Sequence, residues 1–217
     1  MVGRSNVGKS TLINAIVRQR IARTSAAPGK TRLANIYRVA RGEGPAFYLV
    51  DLPGYGYARG GSDAARGFDE LTRAYFARES QEGRDSQEGK APAFPARPAY
   101  PACSALLIVD ARHPGLESDL EAWRWLRKAV DGAAVVATKT DKLARGERIR
   151  ALRQLESVFE HPVAPVSAVS GEGLDELWKV IDRLANNSNQ SRSNSSSPAV
   201  SSRHLRKAAT ARRRPKN

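Results

Sequence analysis

Gly3-Arg4-Ser5-Asn6-Val7-Gly8-Lys9-Ser10 decides the fold. The stretch has the form G-x-x-x-x-G-K-[S/T], in which glycines let backbone N–H groups close around phosphate oxygens. The helix that follows points the positive end of its dipole at the same anion. In that setting Lys9 bridges the β- and γ-phosphates and Ser10 offers a hydroxyl to Mg²⁺. Gly3, Arg4, Ser5, Asn6, Val7, Gly8, Lys9 and Ser10 are therefore the first candidate nucleotide-binding residues.

Downstream, residues 10–17 open a helix, and residues 35–39 and 46–50 are short β-rich runs. Gly42, Gly44 and Pro45 lie between these runs and predict an antiparallel hairpin. Residues 105–109 form a continuous apolar run ending in Asp110, the pattern of a buried parallel strand. Residues 133–137 repeat it, and 162–166 are strand-like. Helical spacing recurs over 68–78, 116–130, 149–159 and 174–184. In the second of these, Leu116, Leu120, Trp123 and Leu126 share one face. Strands alternating with helices predict an α/β fold with a mostly parallel sheet covered on both faces.

A phosphate-binding loop does not name the base. Thr138-Lys139-Thr140-Asp141 does, because it follows the apolar strand 133–137. There Asp141 can accept hydrogen bonds from the ring N–H and the exocyclic amine of guanine. Adenine has no such donor pair and would leave a buried carboxylate unpaired, a basis for discrimination of about 10⁴-fold. Lys139 would lie along the base and brace the phosphate loop. Asp51-Leu52-Pro53-Gly54 follows strand 46–50, so Asp51 can hold the Mg²⁺ shell and Gly54 can offer its N–H to the γ-phosphate. Between these motifs, Pro28 precedes Gly29, Lys30, Thr31, Arg32 and Leu33 in a polar loop, with Thr31 the second hydroxyl ligand for Mg²⁺. Val166, Ser167 and Ala168 follow the last strand, where the Ala168 N–H can meet the guanine carbonyl.

The chain has 217 residues, 41% of them hydrophobic and 27% charged, which is the composition of a globular domain. No apolar run approaches a membrane span, and the first residues lack a secretory leader. A single cysteine, Cys103, excludes an intrachain disulfide and points to a reducing, cytoplasmic setting; as a lone residue before an apolar strand it reads as core packing rather than a nucleophile. The formal net charge is +14, and eight Lys and Arg side chains with no acid beyond Asn186 leave +6 for the remainder. Both parts favour a polyanionic partner. The domain reading is a nucleotide-binding domain over 1–185, with a proline-rich insert at 79–103 that holds the near-duplication Ser80-Gln81-Glu82-Gly83 and Ser86-Gln87-Glu88-Gly89, and a disordered basic tail over 186–217.

The motifs occur in the order of the TRAFAC-type GTPases, and in detail the chain resembles the EngB family, also called YihA or YsxC. The resemblance rests on G-R-S-N-V-G-K-S-T-L-I-N from Gly3, P-G-K-T-R from Pro28 and D-L-P-G-Y-G-Y-A from Asp51. It continues through V-D-A-R-H from Val109, T-K-T-D-K-L from Thr138 and S-A-V-S-G-E-G-L-D-E-L from Ser167. It implies a Ras-like P-loop GTPase fold, GTP or GDP with Mg²⁺, and a monomeric bacterial cytoplasmic switch in large (50S) ribosomal subunit assembly that contacts rRNA and is linked to cell division and septation. A second reading is a GTP-dependent division adaptor acting through a protein partner; a third, a P-loop ATPase or kinase, is opposed by Asp141. The tail reads either as an RNA contact or as a solubilising polycation.

Where Ras-like proteins carry a water-orienting Gln after D-x-x-G, this chain has Tyr55, which predicts slow intrinsic hydrolysis. Resemblance also implies that Asn6 can admit K⁺ beside the phosphates, where it would act much as an arginine finger does. Lys9, Asn6 and Thr31 are the residues expected to serve hydrolysis. His113 and His161 read as loop residues, and Trp123, Trp125 and Trp178 as packing. A phosphate loop of this kind follows a central strand, yet only Met1 and Val2 precede Gly3, so that first strand is expected to be missing.

Overall fold

The strand that anchors the sheet is the most apolar run in the sequence. In the computed structural model, which describes residues 1–22, 34–40, 46–55 and 104–195 (backbone alone from 187), Ser104–Asp110 forms a central strand. In chain order the elements are β1 (Val2–Gly3), α1 (Lys9–Val17), β2 (Asn35–Val39), β3 (Phe47–Asp51) and β4 (Ser104–Asp110). They continue with α2 (Glu117–Ala129), β5 (Gly132–Thr138), α3 (Arg145–Phe159), β6 (Val163–Pro165) and α4 (Leu174–Ser195). The sheet runs β1-β4-β5-β6, all parallel, as the buried apolar strands require.

Alternation along β4 divides two cores. Leu106 and Ile108 pack with Leu12, Ile13 and Ile16 of α1 and Leu177 and Ile181 of α4. Leu107 and Val109 face the opposite side, against Trp123 and Leu126 of α2 and Leu155 and Phe159 of α3. A strand covered on both faces shows no polar alternation, so its sequence reads as one continuous apolar run. Trp123 joins α2 to α3: its indole N–H donates to the Phe159 carbonyl at 3.1 Å, and its ring meets Phe159 edge-on at 6.2 Å. His161 packs edge-on against the same indole at 5.0 Å, and Trp178 meets Phe47 at 6.1 Å.

Several expectations change. The first strand is present in short form: Val2 pairs with Leu107 and Gly3 with Ile108 in parallel register. Neighbouring segments reinforce this pairing. The Met1 amine donates to the Val50 carbonyl, Leu52 N–H to the Met1 carbonyl (3.2 Å), and Arg4 bridges Tyr55 in parallel. These bonds bring the β2–β3 hairpin, itself a two-stranded antiparallel ribbon, against β1. α3 begins at Arg145 rather than 149, because the Glu147 carboxylate accepts from the Ala144 N–H at 3.0 Å. That is half a capping box, since Ala144 has no side-chain acceptor. Leu116 caps α2 and is exposed instead of sharing its apolar face. α4 continues to Ser195, past the apolar spacing that ends at Leu184. Once its packed turns exist, each added residue needs only one further hydrogen bond. The turn at Gly42, Gly44 and Pro45, helix 68–78, the insert 79–103 with Cys103, and residues 196–217 lie outside the described residues. Among the described residues no helix is long and apolar enough to cross a membrane.

Candidate functional site

The carboxyl ends of β1, β3, β4, β5 and β6 converge, and the sequence-predicted residues sit on the loops that leave them. Ligand sites in open parallel sheets occur at that edge. Gly3 ends β1, and the loop Arg4 to Gly8 turns back to start α1 at Lys9. Asn6 (φ 63°) and Gly8 (φ 103°) are both left-handed, the backbone alternation from which anion-binding turns are built. Gly8 is needed there, since a φ of 103° strains any residue with a Cβ.

Lys9 is 7% exposed, and its ammonium donates to the Gly3 carbonyl (2.8 Å) and the Arg4 carbonyl (3.1 Å). Burial pushes its pKa down to about 8, against the attraction of the Asp51 carboxylate. The amine is thus held by two carbonyls and the attraction of one anion. Ser10, in the first turn of α1, donates to Asp51 Oδ2 at 3.3 Å. Burial raises the Asp51 pKa, with the Lys9 charge opposing it. Asp51 Oδ1 is buried and makes no hydrogen bond among the described residues. A carboxylate oxygen of this kind beside a serine hydroxyl is a set of hard donors suited to Mg²⁺. Gly29, Lys30, Thr31, Arg32 and Leu33 lie outside the described residues.

The loop after β5 reaches the phosphate loop directly. Thr138 Oγ1 lies 2.6 Å from the Val7 carbonyl and 3.0 Å from the Val109 carbonyl, so its one hydroxyl proton serves either. Lys139 adopts φ 61°, and its ammonium donates to the Asn6 carbonyl and to Asp110 Oδ2 (2.8 Å). Thr140 and Asp141 follow in a single 3₁₀ turn, Thr140–Lys142. The Asp141 carboxylate accepts from Ser167 Oγ at 2.8 Å, which is the chief cause of its lowered pKa. Ser167 is in turn placed by the Val166 N–H, which donates to the Ala137 carbonyl at 2.8 Å and continues the β5–β6 register. Asp141 and Ser167 are therefore joined directly, and Lys139 is joined to the phosphate loop at Asn6.

On the remaining side, Leu52 and Pro53 are buried and Gly54 lies against Ser5 of the phosphate loop. A Cβ on Gly54 would come within 2.6 Å of the Ser5 backbone nitrogen, so only glycine allows this approach. Ser5 N–H donates to the Tyr55 carbonyl at 2.9 Å. Tyr55 is buried with its hydroxyl on Asp119 Oδ1 (2.7 Å), turned away from the phosphate side.

Three residues of this region were not singled out from the sequence: Asp110, Arg112 and Asp119. Asp110 accepts from Arg112 N (3.1 Å), Nε (2.9 Å) and Nη2 (2.7 Å) as well as from Lys139. Burial pushes its pKa up, but the bonds from Arg112 and Lys139 outweigh that and hold it well below the usual carboxylate range. Asp119 was legible in principle, as an acid on the helical face that also carries Trp123 and Leu126. His113 lies in the exposed turn after β4, its N–H on the Asp110 carbonyl, as its loop reading requires.

A phosphate loop opening a helix, a D-x-x-G strand end, a T-K-x-D turn and a mostly parallel sheet between helices define a P-loop GTPase. A family model described as a 50S ribosome-binding GTPase matches residues 1–140. The probable GTP-binding protein EngB of Solibacter usitatus is 40% identical over 182 residues, covering 83% of this chain and 82% of that protein. Its counterpart in Pelotomaculum thermopropionicum is 36% identical over 189 residues, 84% of this chain and 83% of that one. The fold is also that of the GTPase Era in complex with MgGDPNP and a segment of 16S ribosomal RNA (TM-score 0.62, 22% identity, 83% of this chain and 53% of that one). A crystal structure of a probable GTP-binding protein EngB aligns with a TM-score of 0.57 and 20% identity over 86% of this chain and 97% of that one. The chain belongs to the EngB family of GTP-binding GTPases.

Proposed function

We propose that this GTPase is a cytoplasmic, monomeric switch in large (50S) ribosomal subunit assembly, and through it bears on cell division and septation. The observation that carries this reading is the match of residues 1–140 to a family described as ribosome-binding. A net charge of +14 supports it, because a basic surface gains salt-sensitive affinity for RNA by releasing counterions. Arg203, Arg206, Lys207 and the run Arg212–Arg214 would add rRNA contacts.

Within the site, residues Gly3 to Ser10 enclose the α- and β-phosphates, and Lys9 leaves its two carbonyls for the β- and γ-oxygens. Asp141, with Ser167 and Ala168 beside it, reads the guanine, and Lys139 lies along the base. Thr140, Val166, Leu52, Pro53 and the loop Gly29 to Leu33 complete the nucleotide surface. Ser10, Asp51 and Thr31 would hold Mg²⁺, which when bound neutralises charge on the phosphates. Tyr55 faces Asp119 and cannot orient a water, which supports slow intrinsic turnover. Asn6 is exposed at the lip of the loop, and from there it would help hold K⁺; equal hydrolysis rates in KCl and NaCl would refute that role.

Co-sedimentation with 50S precursor particles at fixed salt tests the assignment. Binding with a GTP analogue that is lost with GDP is expected. Particle-independent behaviour together with nucleotide-dependent capture of a division protein would replace this reading with that of an adaptor.

A further inference from the structure

Asp119 lies on the inner face of α2 and is 2% exposed. Arg4 Nε donates to both of its oxygens (3.1 and 3.2 Å), and the Tyr55 hydroxyl donates to Oδ1 (2.7 Å). One carboxylate thus ties a phosphate-loop residue to the residue immediately after D-L-P-G. The same two segments are stitched by backbone: Ser5 N–H to the Tyr55 carbonyl (2.9 Å), Ser5 Oγ to the Gly54 carbonyl (3.3 Å), and the Arg4–Tyr55 bridge. Gly54 is clamped between these anchors and β3, with no room for even a Cβ against Ser5.

An apolar side chain at 119 would serve packing better, since a buried ion pair seldom repays its desolvation. Here the pair is not even fully used, because Arg4 Nη2 is buried without a partner among the described residues. What a three-bonded carboxyl group supplies and a leucine does not is direction. It fixes where Tyr55 ends, and hence where the Gly54 peptide N–H points.

We propose that Asp119 is a positioning residue for γ-phosphate recognition, acting through Tyr55 and Arg4 to hold the Gly54 amide in register with the phosphate loop. The inference rests on the reading that Gly54 meets the γ-phosphate. The α- and β-phosphates are enclosed by Gly3 to Ser10, whose loop keeps its other anchors when the Asp119 tie is lost: Lys9 on the Gly3 and Arg4 carbonyls and Thr138 Oγ1 on the Val7 carbonyl. Loss of the Asp119 tie therefore weakens triphosphate binding and spares diphosphate binding.

The test is the affinity of the full chain for GDP and for GMPPNP, measured by calorimetry for the wild type, Asp119→Asn, Tyr55→Phe and the double variant, with Gly54→Ala alongside. Tyr55→Phe keeps the ring packing, so it reports even where Asp119→Asn folds poorly. Both single variants are expected to bind GDP within about twofold of the wild type and GMPPNP about tenfold more weakly, the loss of one hydrogen bond to a charged group. The double variant is expected to be no worse than the weaker single one, since both break the same tie. Parallel loss of GDP and GMPPNP affinity would assign Asp119 to packing alone and overturn the proposal. So would unchanged GMPPNP affinity in Tyr55→Phe while Gly54→Ala loses it. Unchanged GMPPNP affinity in Gly54→Ala would overturn the Gly54 reading itself, and the proposal with it.

Discussion

Replacing Asp110 by Asn probes the anchoring of Lys139, whose ammonium also meets the Asn6 carbonyl of the phosphate loop. The Asp110 carboxylate takes four donors, three from Arg112 and one from Lys139. Asparagine keeps one acceptor oxygen and turns an NH₂ toward a cation. A hydrogen bond to a charged group contributes about 1.5–3 kcal/mol. Arg112 is 41% exposed and its share is reduced by solvent, whereas Lys139 is 27% exposed and Asp110 6%, so the Lys139 bond dominates. We expect a stability loss of about 2 kcal/mol at pH 7 in urea denaturation of the nucleotide-free protein. Because the folded pKa of Asp110 is depressed, its stabilisation is complete above the unfolded value of about 4 and fades as pH falls below it. The gap between wild type and Asp110→Asn therefore narrows from pH 4 downward. On the proposal that Lys139 lies along the base, its release from Asp110 lowers affinity for GDP and GTP equally, by about tenfold. A variant that binds GDP like the wild type, or that loses GTP alone, would refute this reasoning.

Thr138→Val removes the hydroxyl shared by the Val7 and Val109 carbonyls and leaves a buried acceptor unmet. A loss of about 1–2 kcal/mol is expected, read as a thermal midpoint about 4 °C lower, with GDP recovering part of it. Trp123→Phe keeps an aromatic between α2 and α3 but drops the bond to the Phe159 carbonyl and part of the contact with His161. It should cost about 1–2 kcal/mol in denaturant while leaving nucleotide affinity unchanged, because the lost contacts, to Phe159 and His161, join α2 to α3 and leave the Asp119 bonds to Arg4 and Tyr55 in place.

Much of the architecture was legible because burial on both faces writes itself as apolar runs. β4 and β5 were read to within a residue or two of their ends. The phosphate loop and T-K-x-D were legible because each motif sits at a strand end, where its chemistry has a geometric reason. The short first strand was not, since its two residues owe their conformation to partners far along the chain, Leu107 and Ile108. The start of α3 depended on one Glu147 bond that apolar spacing does not encode. Asp110, Arg112 and Asp119 were overlooked as site residues because their roles arise from contacts across the fold. Asp119 meets Arg4 and Tyr55 at separations of 115 and 64 residues. Only an acid on an apolar helical face marks it in the sequence.

The claim that this chain is built for guanine rests on Asp141, held by Ser167 Oγ at 2.8 Å at the edge of the site. Competition of GTP, ATP and XTP against a fluorescent GDP analogue, with the wild type and Asp141→Asn, tests it most directly. The wild type is predicted to favour GTP over ATP by at least about 10³-fold, and Asp141→Asn to lose GTP and gain XTP, whose 2-oxo group suits an amide donor. Equal competition by ATP and GTP in the wild type, or an Asp141→Asn variant that still prefers GTP, would contradict it.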